Sequence, residues 1–262
     1  MKNLCEKLNF DDYITNIVLN YDKTINYNKI QDKINMLYDK NTWDNGIKQL
    51  ESYVAPDKNG LKMLTICLHC LLKTYNMYKQ KGINDKIFFD TMGFLPRFIN
   101  EHKKNYGVYA FTWDWWFVRQ ISMFEFRIDD FEFEFMGDNK TISLHIPSDA
   151  DLKNGKIDVI FDFANKYYPE YKNVNIICET WLIVPELKKL LPENSNIINF
   201  QNQFIINKVD YDNPDFMDWI YYNRDIEYKN LPENTTLQKN LKQHLLSGGK
   251  FGWAYGIYSN IE

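Results

Sequence analysis

The sequence predicts an α/β fold of the α+β kind, in which helices precede a mixed, mostly antiparallel sheet with flanking helices. Apolar residues recur at helical spacing through residues 1–105. Residues 121–147 alternate with a period of two, and strand-like and helix-like segments then alternate to the C-terminus. We therefore predict a helical N-terminal domain over 1–105 and a sheet-containing domain over 106–262.

The helical part contains one especially clear segment. GLKMLTICLHCLLKTYNMYKQKG has a glycine at each end and a broad apolar face, which predicts a long helix. Asp11 is a suitable cap for the first apolar segment, because its carboxylate can accept a backbone amide. Helices are expected at the segments that share the periodicity, 10–19, 30–37, 60–82 and 84–104.

The sheet part begins with a predicted hairpin. Residues 124–128 and 131–135 alternate Phe and Ile with Glu and Arg on either side of Asp129–Asp130. A turn at Gly137–Asp138–Asn139 leads to a third strand over 142–146, and Ser148 and Asp149 are predicted to start a helix running to 168. Further strands are predicted at 174–184, 197–209 and 251–258, with helices at 185–191 and 237–246.

Composition excludes several classes of protein. The net charge is −4, and only four of the 31 basic residues are Arg, which argues against a nucleic-acid binder. No apolar run is long enough for a membrane helix, and the N-terminus lacks the apolar stretch of a signal peptide. We therefore expect a cytoplasmic protein with no membrane span, whose four cysteines are thiols.

Two motifs favour structural roles. Cys67 and Cys70 form a CxxC inside the clearest predicted helix, where core thiols are more common than a metal or redox pair, and we predict no metal site. The aromatic segment TWDWW at 112–116 favours a packed interdomain hinge, with one wall of an apolar pocket as the alternative.

Two polar residues interrupt the strands of the second half. His145 lies near the end of a predicted strand, where it is either a general base or a histidine hydrogen-bonded between sheet and helix. Glu179 interrupts the apolar strand IICETWLIV, which indicates a site, a water-filled notch or a buried network. Regular alternation places Glu179 and Trp181 on one face and Cys178 and Thr180 on the other.

Several segments together resemble the bacterial GNAT-like acyltransferases, which join a helical N-terminal domain to a GNAT-type C-terminal domain. The resemblance covers 106–262 well and the helical part only loosely. It is carried by WWFVRQI (115–121), FRIDDFEFE (126–134), SLHIPSDADL (143–152), CETWLIVPELKKLLPENSNIINFQ (178–201) and LPENTTLQKNLKQHLLSGG (231–249).

The resemblance implies a GNAT-like sheet whose fourth, fifth and sixth strands are SLHIP, ICETWLI and IINFQNQF. It also implies transfer of an acyl group from a coenzyme A or carrier thioester to an amine or other nucleophile on a small molecule or peptide. His145 or Glu179 would be the base, and Cys178 the acid or an acyl-carrying nucleophile. The thioester would lie in the splay between the fourth and fifth strands, with its pyrophosphate at the N-terminus of the following helix, and an apolar pocket would hold the acyl group or acceptor. The thioester site would contain Ile146, Pro147 and Ser148. The apolar pocket would be lined by Trp181, Trp113 and Trp116.

The sequence departs from the family pattern at two places, which keeps other functions open. The pyrophosphate loop Q/R-x-x-G-x-G/A is replaced by the acidic segment 147–151, and CETW stands where family members tend to have C-H-S-W. A non-catalytic binding or regulatory protein on a degenerate GNAT scaffold is one alternative. A thioester hydrolase or decarboxylase that uses the same cleft is another. The helical part could also support a homodimer.

Overall fold

The computed structural model describes residues 1–137 and 141–259 and divides into two compact units, Met1–Ile128 and Asp129–Glu262. The predicted domain boundary lies between residues 105 and 106. The predicted turn at Gly137–Asp138–Asn139 lies mostly outside the described residues.

The first unit consists of helices and one short strand. Asp11 caps α2 as predicted, because its Oδ1 accepts the backbone amide of Tyr13 at 2.7 Å. The helices are α1 (Lys2–Lys7), α2 (Asp12–Asp22), α3 (Tyr27–Met36), α4 (Trp43–Val54), α5 (Leu61–Lys81), α6 (Asp85–Met92), α7 (Phe94–Tyr106) and α8 (Asp114–Ile121). Strand β1 (Glu125–Ile128) ends the unit.

One predicted helix of this unit is wrong in its length. The segment 84–104 is two helices, α6 and α7, that meet at Gly93. Pro96 lies in the first turn of α7, where backbone N–H groups have no partner within the helix, so a proline costs no hydrogen bond there. In one continuous helix that same residue would remove an internal hydrogen bond.

Helix α5 is the long predicted helix and supplies much of the core of the first unit. Cys67 and Cys70 are both buried and free, as expected for core thiols. Burial raises the pKa of Cys70 to about 12 and the pKa of Cys67 well above its usual value. Gly60 and Gly82 flank the helix with φ of 68° and 72°, a backbone region that favours glycine.

Replacing Gly60 with Ala is expected to destabilise the protein more than replacing Gly82 with Ala. Each substitution incurs the left-handed backbone penalty of roughly 1–2 kcal/mol. A Cβ on Gly60 would also lie 1.9 Å from the backbone oxygen of Phe111, whereas a Cβ on Gly82 has nothing within 4 Å. Urea unfolding of both variants measures the difference. Equal losses in the free energy of unfolding would contradict this packing.

The second unit is built on a sheet with helices around it. Its strands are β2 (Phe131–Phe135), β3 (Thr141–His145), β4 (Asn175–Thr180), β5 (Phe204–Asp210) and β6 (Trp253–Tyr258). Its helices are α9 (Val159–Tyr167), α10 (Leu187–Leu190), α11 (Asn196–Gln201), α12 (Phe216–Ile220) and α13 (Thr236–Leu246). Short 3-10 turns lie at Pro169–Tyr171, Trp181–Ile183 and Tyr228–Asn230.

These strands lie in the order β2-β3-β4-β6-β5. Strands β3 and β4 are parallel, while β2 with β3, β4 with β6 and β5 with β6 are antiparallel. The predicted mixed, mostly antiparallel sheet with flanking helices is therefore confirmed. The strand predicted at 251–258 and the helix predicted at 237–246 are present as β6 and α13.

Two predicted strands are partly wrong. The segment 197–209 begins as helix α11, because Ser195 caps it by accepting the amide of Ile198 on its Oγ at 3.2 Å. The segment 174–184 leaves the sheet at Thr180, whose Oγ1 accepts the amide of Leu182 at 3.2 Å and starts a 3-10 turn. Trp181 therefore lies in that turn and not on a strand.

The helix predicted to start at Ser148 and Asp149 is also wrong in its start. Residues 148–158 form turns, and α9 begins only at Val159. Asp151 organises these turns: its Oδ1 accepts the backbone amides of Lys153 and Asn154 at 2.9 and 3.3 Å. Local bonding by an Asp side chain competes with a helix, which explains the late start.

Candidate active site

The pairing of the two parallel strands stops before the strands themselves end. The ladder runs from Thr141 opposite Asn175 to Leu144 opposite Cys178. Beyond that point β4 stays paired with β6, where Glu179 lies opposite Tyr255. The carboxyl ends of β3 and β4 thus form an interruption in the sheet, and ligands commonly bind at the carboxyl ends of parallel strands.

His145 is the last residue of β3 and lies at this interruption. Its Nε2 is 3.3 Å from Oε2 of Glu134, a residue on the neighbouring strand β2. Glu134 pairs with Ser143, so it is a diagonal neighbour of His145 on the same face of the sheet. The His145 side chain is 25% exposed and the Glu134 side chain 9%. The geometry is that of an accessible imidazole held by a largely buried carboxylate.

Sequence reasoning missed Glu134. Its alternation with the Phe residues of β2 is visible in the sequence, but its role depends on which residue of β3 lies opposite it. A hairpin prediction gives the strands and not their register, and a shift by one residue would turn Glu134 to the other face. Both faces of β2 are buried, so exposure offers no additional signal.

The structure separates the three predicted catalytic residues. Strand register places His145 and Glu179 on one face, whereas Cys178 lies with Leu144 on the opposite face. Glu179 is exposed and Cys178 is fully buried. Burial raises the pKa of the Cys178 thiol, and the charge of Glu179 raises it further. This environment does not supply the thiolate that nucleophilic chemistry requires.

The segment that follows β3 contains the predicted donor-binding residues Ile146, Pro147 and Ser148. The carbonyl of Pro147 accepts the amide of Ala150 at 3.0 Å in the first turn. The Asp151 carboxylate then accepts hydrogen bonds from the backbone amides of Lys153 and Asn154. It also accepts a 2.6 Å hydrogen bond from the Asn154 side chain, and these three bonds lower the pKa of Asp151. Two backbone amides that could face an anion are therefore occupied by the chain itself.

The predicted pocket tryptophans belong to both units. Trp181 is half-buried in the second unit. In the first unit, Trp113 stacks on Trp115 with ring centroids 5.5 Å apart. Trp116 donates its Nε1 hydrogen to Glu125 Oε1 at 3.3 Å, and that carboxylate is completely buried.

Comparison with family models decides the identity of the fold. Residues 74–258 match a GNAT-like C-terminal domain, and residues 1–123 match an N-acyltransferase N-terminal domain. The chain belongs to the GNAT-like acyltransferases. This confirms the resemblance found in the sequence and the prediction that the GNAT-like protein is an acyltransferase enzyme. No helix in residues 1–137 or 141–259 is long and apolar enough to span a membrane.

Solved structures agree with this fold. An acyltransferase in complex with decanoyl-CoA and teicoplanin superposes with a TM-score of 0.76 at 15% identity, covering 98% of this chain and 86% of the other. The same coverage holds for an acyltransferase in complex with decanoyl-CoA, with a TM-score of 0.75 at 16% identity. An acyltransferase in complex with CoA and 10C-teicoplanin gives a TM-score of 0.76 at 14% identity. No protein with a curated description matches the sequence significantly.

Proposed function

We propose that this GNAT-like acyltransferase transfers an acyl group from a coenzyme A thioester to a nucleophile on a small molecule or peptide, with His145 as general base. The observation that carries the proposal is the His145–Glu134 pair at the interruption between the parallel strands. The solved structures of similar fold contain decanoyl-CoA or CoA, and two of them also contain a glycopeptide. They support a thioester donor and a small-molecule acceptor.

The reaction needs one proton acceptor on the protein. The acceptor nitrogen or oxygen attacks the thioester carbonyl carbon, a new C–N or C–O bond forms, and the C–S bond breaks. The proton lost by the nucleophile passes to a nitrogen of the His145 imidazole. The departing thiolate then takes up a proton from this imidazolium, directly or through water, and leaves as the thiol. An imidazole suits this step because it changes charge near neutral pH.

Glu134 is a positioning residue in this mechanism. Its carboxylate at 3.3 Å fixes the ring of His145 and stabilises the imidazolium that forms when the nucleophile is deprotonated. A neutral amide in its place could still orient the ring by a hydrogen bond but would not stabilise the imidazolium charge. The carboxylate itself does not need to touch either substrate.

The Asp151 turn favours one alternative, a binding or regulatory protein without transfer activity. The Asp151 carboxylate accepts two backbone amides and carries a negative charge next to the residues predicted to bind the thioester. A coenzyme A pyrophosphate would have to be held by other groups, because like charges at this turn repel it.

Thermal-shift titration with coenzyme A, acetyl-CoA and decanoyl-CoA separates transfer from that alternative. A donor at about 100 times its Kd should raise the stability of the folded protein by ~2.7 kcal/mol, which is visible as a higher melting temperature. The acyl chain that gives the largest shift indicates the donor. No shift with any of the three would contradict a coenzyme A donor and favour the binding protein. Release of free thiol from the donor without an acceptor would instead indicate a thioester hydrolase.

Replacing His145 with Ala is expected to lower kcat for acyl transfer by roughly 10²–10⁴-fold, the usual contribution of a general base. Glu134→Gln should lower kcat less and should move the acid limb of the kcat/KM pH profile to lower pH, because the imidazolium loses its neighbouring negative charge. Glu193→Gln, an exposed glutamate in another turn of the same unit, is the matched control. An unchanged kcat in His145→Ala would contradict the assigned base.

Cys178→Ala tests the remaining sequence prediction of a catalytic thiol. Because the thiol is buried on the opposite face of the sheet, we expect transfer activity to persist and melting temperature to fall slightly from lost packing. Mass spectrometry of the wild type after mixing with acyl-CoA alone checks for an acyl-cysteine. A thioester adduct on Cys178, together with loss of activity in the variant, would restore the nucleophilic role.

A further inference from the structure

One face of the sheet is open where β4, β6 and β5 lie side by side. Glu179 on β4 and Lys208 on β5 are exposed on this face, Tyr255 on β6 is half-buried between them, and Ile205 is 60% exposed. The opposite face is covered, since Cys178 and its cross-strand neighbour Gly256 are buried. The open face is the one that carries His145 and Glu179.

Three of these side chains form a row across the strands. Glu179 pairs with Tyr255, and Tyr255 pairs with Lys208. The register shifts between Ile206 and Lys208, so the bulge turns Lys208 onto the open face, where regular alternation would have placed Asn207. The Lys208 ammonium lies 5.4 Å from the centroid of the Tyr255 ring, within the range of a cation–π contact.

The surroundings of the Tyr255 ring are negative. Asp210 follows Lys208 on the same face of β5, opposite Trp253. Burial raises the pKa of the Tyr255 phenol, and the charges of Glu179, Asp210 and Asp215 raise it further. A half-buried aromatic ring within a field of carboxylates is complementary to a cation, and Lys208 already places one ammonium there.

We propose that this face binds a cationic group of the acyl acceptor, at a position separate from the nucleophile that His145 deprotonates. This inference rests on the proposed function and adds the acceptor class: a molecule with at least two amines. Strands β3 and β6 are two places apart in the sheet order, so two regular strand spacings, about 10 Å, are the shortest separation of the two positions, and the interruption between β3 and β4 lengthens it. Glu179 and Asp210 supply the charge, Tyr255 supplies the aromatic surface, and the Lys208 ammonium is displaced by the ligand.

The test compares linear α,ω-diamines with monoamines of the same chain length, using decanoyl-CoA as donor. We expect the wild type to prefer, on the order of tenfold in kcat/KM, a diamine whose nitrogens lie at least about 10 Å apart. Glu179→Gln and Asp210→Asn should reduce this preference through a higher KM for the diamine. Lys208→Met should increase it, because it removes the competing ammonium. Glu193→Gln is the control.

Calorimetric titration of this diamine without any donor measures the subsite independently of catalysis. We expect Kd to rise in Glu179→Gln and Asp210→Asn, to fall in Lys208→Met, and to stay near the wild-type value in Tyr255→Phe, which keeps the ring. Diamine binding with this pattern but no acyl transfer would overturn the proposed function and leave the subsite standing.

Two results would overturn the subsite. One is transfer without any preference for diamines, together with no binding that responds to these variants. The other is a Glu179→Gln variant that loses transfer to monoamines and diamines equally, which would assign Glu179 to the chemical step instead.

Discussion

The site depends on one parallel strand pair within an otherwise antiparallel set of strands. Parallel neighbours need a crossover connection, and residues 146–174 provide it with α9. The crossover starts at the carboxyl end of β3, so this end cannot turn tightly back along a partner. Pairing with β4 stops at Leu144 and Cys178, while β6 holds the other edge of β4 in place. The interruption that exposes His145 therefore lies where the crossover leaves the sheet.

The alternation of side chains along each strand then places the candidate site residues on two opposite faces of the sheet. Leu144 and Cys178 contribute to a buried face, and burial there raises the pKa of the cysteine thiol. His145 and Glu179 project to the other face, together with Tyr255. Two neighbours in sequence, Cys178 and Glu179, thus meet opposite environments. A two-residue motif on a strand cannot act as one catalytic unit unless a bulge reorients it.

Much of the fold could be predicted from local patterns, because helix caps and apolar periodicity depend on residues that are close in sequence. Helix α5 between Gly60 and Gly82 is one example. The segment around Ile198 could not be assigned correctly, since a short apolar run fits a strand or a buried helix, and the Ser195 cap decides between them. The site was predictable only in part. His145 follows from its strand end, but Glu134 and Tyr255 depend on strand register, which is set by tertiary packing.

The charged side chains around the site affect the binding of the thioester donor and of the acyl acceptor differently. The turn after β3 contains Asp151 together with Lys153 and Lys156, and the open face contains Glu179 and Asp210 together with Lys208. A phosphate-bearing donor gains nothing from the carboxylates and needs contacts with other groups. The cationic acceptor proposed above would gain from the carboxylates of the open face, because a focused negative field raises the local concentration of cations. These carboxylates therefore fit the proposed acceptor and contribute no attraction to the phosphates of the donor.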